Sequence, residues 1–336
     1  MDIINDTPYQ AHVFYRGLIG GALEAYALIK ATFRIEGDLL VEDPDPFPVW
    51  ETDQEIDGAF FEKDVSLTKG GVDLVVLGSA YPSKGGLAAE MDVALELDGF
   101  RSVLRIIGNR YWVKVLGKYR ISDPKPFDRM PVTYENAFGG KDTTQEGHEI
   151  PFVLNPAGKG YIYPGSKPKV EGVPLPNVEN PEHRIKKWKD APDPVGFAWY
   201  RMEWGLRAIN GVEVIPMQPP RILPRLFNGA HPSLVLSSYP AGKTLKVTGM
   251  TPSGTFACTV PELPLRVLTR TGDREQELPF SPDTLCVLPE KGRLYVAGRA
   301  MFPYDPPSQP DMTVVIAPKA GGGRDGEVAG SENSKE

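Results

Sequence analysis

The side chains of this chain that could ligate a metal ion or transfer a proton are its four histidines, its two cysteines and a few acidic pairs. No two of His12, His148, His183 and His231 have the i, i+4 spacing with which one helix face binds zinc. His148 has Glu149 beside it in a charged stretch, which we interpret as a solvated loop. The sequence therefore predicts no metal site and no cofactor.

Motifs for phosphate or covalent chemistry are incomplete. Residues 241–244 (Ala-Gly-Lys-Thr) end like a phosphate-binding loop, but the first glycine of that motif is missing and a strand pattern follows instead of a helix. The sequence contains no Gly-x-Ser-x-Gly nucleophile elbow. Asp43 with Asp45, and Glu179 with Glu182, place carboxylates close together, yet such pairs arise by chance among 44 acidic residues. We predict no catalytic residues.

The two cysteines, Cys258 and Cys286, both stand in apolar, strand-like stretches. Two cysteines in 336 residues do not make a disulfide framework. Buried free thiols are therefore the favoured interpretation, because reduced cysteine behaves as a small apolar side chain.

The charge balance argues against several kinds of partner. A net charge of -7 gives no field that would attract nucleic acid or an anionic membrane. No window reaches the roughly 20 apolar residues that span a bilayer. An acidic residue, Asp2, stands where a signal peptide carries basic ones. These features predict a cytoplasmic protein that binds neither nucleic acid nor membrane.

The secondary-structure elements that would position any site are predicted to be β-strands. Alternating or apolar runs predict strands over 10–16, 29–36, 72–81, 90–97, 100–107, 111–116, 244–250, 255–260, 264–270, 284–289, 293–300 and 313–317. Asp98-Gly99 predicts a two-residue hairpin turn, after which residues 111–116 should continue the same sheet. Residues 52–55 have capping-box spacing and predict a short helix. With 34 prolines, long helices are excluded over most of the chain.

The predicted fold class is mainly β, with antiparallel sheets in a sandwich or open barrel, a long loop-rich central region and little helix. We predict a main β domain over 1–217, which includes the loop-rich segment 118–200, and a smaller C-terminal β domain over 218–318. Residues 319–336 carry no apolar anchor and predict a disordered tail. Aromatic residues throughout 118–200 indicate an ordered surface anchored to the sheet.

An ordered set of phrases resembles the bacterial domain-of-unknown-function family 2169. The phrases are Ile-Asn-Asp-Thr-Pro (4–8), Lys-Ala-Thr-Phe-Arg-Ile (30–35), Asp-Leu-Val-Val-Leu-Gly (73–78), Gly-Asn-Arg-Tyr-Trp (108–112), Met-Pro-Val-Thr-Tyr-Glu-Asn-Ala-Phe-Gly-Gly (130–140), Asn-Pro-Ala-Gly-Lys-Gly (155–160), Leu-Pro-Asn-Val-Glu-Asn-Pro (175–181), Pro-Val-Gly-Phe (194–197), Phe-Asn-Gly-Ala (227–230) and Asp-Thr-Leu (283–285). Residues 198–214 follow the family pattern only in part.

The resemblance implies a function, because members of this family are encoded beside type VI secretion spike, PAAR and toxin genes and some act as toxin chaperones or adaptors. We therefore expect a cytosolic, non-enzymatic protein that holds a secreted toxin or loads it onto a spike or PAAR partner. Aromatic faces, one charge and close backbone approach suit an interface. The expected partner-binding residues are Tyr134, Glu135, Phe138, Gly139, Gly140, Asn155, Asn177, Glu179 and Phe197.

Three alternatives remain open at this point. The segment with these aromatic residues could fold back on its own sheet instead of facing a partner. The chain could be a hydrolase whose carboxylates come from the loops of 118–200. It could also be a structural or carbohydrate-binding module, which would present a row of exposed tryptophans on one sheet face.

Overall fold

The structure is a computed structural model that describes residues 1–17, 23–36, 39–145, 148–165 and 168–319. Strands far outnumber helices among these residues, which confirms the predicted mainly β fold. The described residues contain one α-helix, α1 (Gly205–Gly211), and no helix among them has the length and apolar character needed to cross a membrane. The predicted tail 319–336 lies outside the described residues except for Lys319.

The strands are short and follow one another closely along the chain. In the first part they are β1 (Asp2–Asn5), β2 (Gln10–Gly17), β3 (Leu23–Glu36), β4 (Leu39–Glu42), β5 (Gln54–Ile56), β6 (Ala59–Phe61), β7 (Val72–Val76), β8 (Ser79–Ala80), β9 (Glu90–Leu97), β10 (Phe100–Ile107), β11 (Trp112–Val115) and β12 (Lys118–Ile121). The central region adds β13 (Met130–Pro131), β14 (Phe138–Gly139), β15 (Lys141–Gln145), β16 (His148–Pro151), β17 (Lys159–Gly160) and β18 (Val178–Glu179).

The last part of the chain is again strand after strand. It contains β19 (Val212–Glu213), β20 (Arg221–Ile222), β21 (Val235–Leu236), β22 (Thr244–Thr248), β23 (Thr255–Thr259), β24 (Leu265–Thr271), β25 (Arg274–Leu278), β26 (Phe280–Leu288), β27 (Arg293–Tyr304) and β28 (Thr313–Pro318). Short 3₁₀ turns lie at Ser83–Gly85, Tyr134–Asn136, Pro224–Phe227, Pro232–Leu234 and Pro289–Lys291.

Three larger sheets surround one hydrophobic core. Their strand orders are β2-β3-β27-β26-β7-β21, with β4 also on β3; β18-β10-β9-β22-β23; and β1-β28-β24-β25. Most pairs are antiparallel, but β1 with β28, β7 with β26 and β14 with β17 are parallel. Strands from both sides of residue 217 share all three sheets, and residues from both sides share the core.

The Asp98-Gly99 turn forms as predicted. Both residues have positive φ, 45° and 85°, and β9 pairs with β10 in the register Phe100↔Leu97. A side chain makes this left-handed region unfavourable, least so for asparagine and aspartate, whereas glycine has no side chain and adopts it freely. The turn fixes the register of the five-stranded sheet.

Two local predictions were wrong. Residues 52–55 form no helix; Gln54 begins strand β5, because the Asp57-Gly58 turn closes the β5–β6 hairpin directly behind it. Residues 111–116 do not continue the five-stranded sheet either. Strand β11 turns at Leu116-Gly117, both with positive φ, and pairs only with β12.

Both cysteines are free thiols, as predicted. Cys286 is buried on β26, and Cys258 is partly buried on β23. Burial raises the pKa of each thiol to about 12. The reactive thiolate is therefore scarce at neutral pH.

We expect neither thiol to react with iodoacetamide at pH 8 while the chain is folded, because both pKa values lie far above that pH. Mass spectrometry of the native and urea-unfolded protein, alkylated for the same time, measures this. Both cysteines should be labelled only after unfolding. Rapid labelling of Cys286 in the native protein would contradict its burial.

Candidate functional site

A buried carboxylate, Asp73 on β7, organises the centre of the molecule. Its oxygens accept hydrogen bonds from Lys69 Nζ (2.7 Å) and Asn228 Nδ2 (3.0 Å). They also accept from the backbone N–H groups of Gly229 (3.0 Å) and Ala230 (3.1 Å). A buried charge is tolerated only with such partners. Asp73 thus joins the 73–78 and 227–230 phrases to each other.

The same network reaches the C-terminal strands through Lys69. Its ammonium donates to Thr284 Oγ1 at 2.7 Å and lies 3.9 Å from Asp283. Asp283 in turn pairs with Arg299 Nε at 2.6 Å. The ammonium of Lys69 also lies 5.4 Å from the ring centroid of Trp199. The network therefore connects β7, β26 and β27 with the segment that carries Trp199.

A second buried ion pair attaches helix α1 to this centre. Arg207 Nη1 is 2.6 Å from Glu62 Oε1 and also donates to the carbonyl of Tyr200 at 3.0 Å. Gly229 lies directly against Glu62 and Trp199, where a Cβ atom would meet the carboxylate at 2.0 Å. Burial, the largest effect, raises the pKa of Glu62 despite Arg207. In the segment 197–207, the ion pair with Glu62 thus holds Arg207 at one end, and Gly229 packs against Trp199 near the other end.

Asn155 fixes the backbone of the 130–140 phrase. Its side-chain amide donates to the carbonyls of Tyr134 (2.8 Å) and Phe138 (3.0 Å), and its own carbonyl accepts from Gly140 N–H (2.8 Å). Gly139 and Gly140 have φ of 146° and 89°, and a Cβ there would meet backbone carbonyls at 2.1 and 2.4 Å. Only glycine fits both the conformation and the space.

Asn177 and Glu179 tie the 175–181 phrase to β10. Asn177 Nδ2 donates to the carbonyl of Ile107 at 2.8 Å, and its Oδ1 accepts from Lys159 Nζ at 2.9 Å. Glu179 forms a buried ion pair with Arg110. Desolvation is the dominant effect on both partners, raising the pKa of Glu179 and lowering that of Arg110. These residues hold the loop-rich region against the five-stranded sheet.

Eight of the nine predicted partner-binding residues are buried, and Glu135 alone is exposed. Tyr134 packs edge-on against Tyr200 and Trp204, with ring centroids 4.8 and 5.8 Å apart. The carbonyl of Phe197 accepts from Val76 N–H at 2.8 Å, so this residue is attached to β7. These eight residues therefore support the molecular surface from inside, and most of the 130–140 segment packs against the chain's own sheets.

That surface includes a cleft, which we call the Glu135 cleft. Its volume is about 320 Å³ and it includes Tyr134 and Glu135 in its wall. The lining residues are 55–61, 77–79, 129, 131–135, 198–199, 201, 204, 288, 290 and 291. The Tyr134–Asn136 turn contributes to one part of the lining. The β5–β6 hairpin contributes another part, and Trp199 and Trp204 add aromatic atoms.

Charged pairs surround the Glu135 cleft. Arg201 is 2.6 Å from Glu55 and stacks over Phe60, 3.9 Å from the ring centroid. Arg129 is 3.1 Å from Glu290. Lys291 pairs with Asp57 at 2.5 Å, and this hydrogen bond lowers the pKa of Asp57. Every cation that lines the cleft thus already has an acidic partner.

Glu135 differs from the other charges of the cleft. It is exposed in the Tyr134–Asn136 turn, and no described residue forms a hydrogen bond or ion pair with it. The cleft therefore combines aromatic surface with one uncompensated carboxylate. Such a surface can bind a cationic side chain and apolar groups beside it.

Several cleft residues escaped sequence analysis, namely Glu55, Phe60 and Arg201. The missed signal is Asp57-Gly58, a dipeptide of the same kind as Asp98-Gly99, which marks the β5–β6 hairpin. The capping-box interpretation of residues 52–55 obscured it. Nothing in the sequence indicated that Arg201, 146 positions away, would contact Glu55.

The acidic pairs considered for proton transfer have structural partners. Asp43 lies 2.6 Å from Arg293 and accepts from the N–H of Asp45. Glu179 is engaged by Arg110, as described above. Among the described residues, no group of three or more His, Cys, Asp or Glu side chains could hold a metal ion.

Comparison with known proteins identifies one family. Residues 21–299 match the family model described as "Uncharacterized protein conserved in bacteria (DUF2169)", which is 279 of the 336 residues. No curated protein matches the chain. No solved structure matches it either.

Replacing Asp73 tests whether its network stabilises the fold. We expect Asp73→Ala to lower the free energy of unfolding by about 3–5 kcal/mol, because Lys69 and two backbone N–H groups lose their buried partner. Urea unfolding followed by tryptophan fluorescence measures this. The matched control, Asp273→Ala in an exposed turn, should change stability by less than about 0.5 kcal/mol. Equal midpoints for the two variants would contradict the assignment.

Proposed function

Because the chain belongs to the DUF2169 family of bacterial proteins, we propose that it is a protein-binding chaperone or adaptor. In this proposal it holds a type VI secretion toxin in the cytoplasm, or loads the toxin onto a spike or PAAR partner. The observation that carries the proposal is the Glu135 cleft, in which an unpaired carboxylate stands beside aromatic side chains.

The size of the cleft suits part of a polypeptide. A volume of about 320 Å³ accommodates one or two side chains of a partner segment, with the rest of that segment lying over the rim. Aromatic residues and arginine contribute most to binding at interfaces. Here the Arg201–Phe60 stack supplies both kinds of surface, and Trp199 and Trp204 line the cleft although most of each side chain is buried.

The charges of the cleft favour a cationic group on the partner. The acids Glu55, Asp57 and Glu290 are each neutralised by a neighbouring base, so Glu135 remains the uncompensated charge. The net charge of -7 on the chain adds a long-range attraction for basic segments. We therefore expect the bound segment to place a lysine or arginine near Glu135 and apolar side chains against the tryptophans.

The proposal requires no covalent step. The side-chain amide of Asn155 holds the backbone of Tyr134, which lines the cleft, and this fixed position reduces the entropy lost on association. A holding protein needs a preformed surface of this kind and a release triggered by its next partner.

The direct test of the proposal is a deletion of this gene in its own bacterium. The toxin encoded nearest to the gene should then become less abundant or fail to be secreted, and the purified protein should capture that toxin from solution. A toxin that is equally stable and equally secreted without this protein would count against the proposal.

Reversing the charge of Glu135 tests the site. We expect Glu135→Lys to weaken binding of that toxin by about tenfold or more, because the new ammonium repels the partner's cation. The melting temperature should not change, since Glu135 is exposed and unpaired. Isothermal titration calorimetry measures the affinity.

The matched control is Glu171→Lys, which makes the same charge change at another exposed position. It should bind like the natural protein. Equal losses in both variants would indicate a general effect of net charge and would remove Glu135 from the site.

A further inference from the structure

Strand β2 (Gln10–Gly17) is a free edge of the seven-stranded sheet. It pairs with β3 along all eight of its residues, and no other described strand pairs with it. In an antiparallel edge strand, every second residue directs both its N–H and its C=O away from its single neighbour. No described residue forms a backbone hydrogen bond with these outward groups. The edge therefore presents a row of unsatisfied donors and acceptors at the spacing of an extended chain.

The other sheet edges are shorter or charged. At the opposite end of the same sheet, β21 has two residues, and β18 in the five-stranded sheet also has two. Strand β25 carries the sequence Arg-Glu-Gln-Glu-Leu (274–278), whose charges oppose pairing with another strand. Short length and charge are the usual ways in which proteins protect an edge. Strand β2 has neither protection.

The middle of β2 carries Ala11 and Val13 on one face and the aromatic rings of His12 and Phe14 on the other, while Gln10 and Arg16 make its ends polar. Ala11 and Val13 pack against the main core, opposite Ile29 and Ala27 of β3. On the other face Phe14 stacks on Tyr26, with ring centroids 4.9 Å apart and planes within 5°. His12 continues this row at 6.5 Å from Phe14. An added strand would thus extend an apolar surface on each side of the sheet.

The one ionised group on β2 is neutralised. Arg16 pairs with Glu24 on β3 at 2.7 Å, near the end of the hairpin. The middle of the strand, residues 11–15, contains neither an acidic residue nor lysine, arginine or proline. Nothing along this stretch opposes the approach of a second backbone, and nothing attracts a particular charge.

From these features we infer that β2 is a docking site for strand addition, and that its occupant is an extended, uncharged, apolar segment of a partner protein. Main-chain hydrogen bonds to the outward groups of β2 supply the affinity. Apolar side chains of the added strand cover Ala11 and Val13 on one face and His12 and Phe14 on the other. This surface is distinct from the Glu135 cleft, and the inference does not require that the partner be a toxin.

The chemistry of the edge selects such a segment. An extended apolar segment with unpaired backbone groups aggregates readily when it is alone in solution. Pairing with β2 satisfies the N–H and C=O groups along one edge of that segment and places its apolar side chains beside those of residues 11–14. Strand addition would therefore shield the part of a partner that most needs a holding protein.

The test uses the full chain and a fluorescent peptide with an apolar core of alternating valine and alanine, flanked by lysines for solubility. Fluorescence anisotropy measures binding, and amide hydrogen–deuterium exchange locates it. We expect the peptide to bind and to slow exchange within residues 10–17. Phe14→Lys should weaken binding by about tenfold or more, because the added strand would have to bury the ammonium.

Because Phe14 stacks on Tyr26, a second pair of variants guards against loss of folding. Of Val13→Pro and Phe14→Pro, one removes a hydrogen bond to β3 and the other removes an outward donor, since adjacent N–H groups point in opposite directions. The variant with the higher melting temperature keeps the β2–β3 ladder. That variant should still bind the peptide at least tenfold more weakly than the natural chain.

Four results would overturn the inference: no binding of the peptide, protection outside residues 10–17, unchanged affinity in the better folded proline variant, or a dimer whose β2 amides are already protected. The last result would assign the edge to a second copy of this chain. Toxin capture that depends on Glu135 but not on Phe14 would remove the strand-addition site from that interaction while leaving the proposed function intact.

Discussion

The hydrogen-bonded carboxylate of Asp73 is the constraint on which the rest of the structure depends. It lies in a buried strand, and its oxygens have four donors. One is Lys69, four residues earlier, and the other three belong to residues 228–230. An ionised group at this depth is stable only if all these donors arrive together. Folding therefore places residues 228–230 beside β7. Tyr200 donates its N–H to the carbonyl of Gly229, so the segment containing Trp199 is placed at the same time.

The phrases that characterise the family therefore serve the inside of the molecule. Asp73, Asn155, Asn177 and Glu179 each satisfy buried backbone or charged groups, and Gly139 and Gly140 permit backbones to approach where a side chain would collide. Together these residues form a fixed internal framework. The two surface features, the Glu135 cleft and the β2 edge, consist of other residues, except that 77–78 and 131–135 belong both to the phrases and to the cleft.

Much of the fold followed from local pattern, and most of the site did not. Alternation located β9 and β10, and Asp98-Gly99 set their register, because hairpin geometry depends on neighbouring residues alone. Lys30 shows the limit. The strand predicted over 29–36 contains this lysine, whose side chain is fully buried 2.8 Å from Asp64 and against the ring of Trp50. Such pairs connect residues more than thirty positions apart, and no local pattern records them. The burial of Tyr134 and Phe138 was likewise open until their packing partners were known.

The sides of the Glu135 cleft are held by interactions of different strength. Phe61, at the end of the β5–β6 hairpin, is buried against Trp50 and Phe47, with ring centroids 4.9 and 6.2 Å apart. The tip of the hairpin is held by exposed ion pairs from Asp57 and Glu55, and such pairs each contribute only about 0–1 kcal/mol. Trp199 instead lies against Gly229 and 5.4 Å from the ammonium of Lys69, within buried networks that open only at large cost. The hairpin tip is therefore held by weaker interactions than the side of the cleft that carries Trp199.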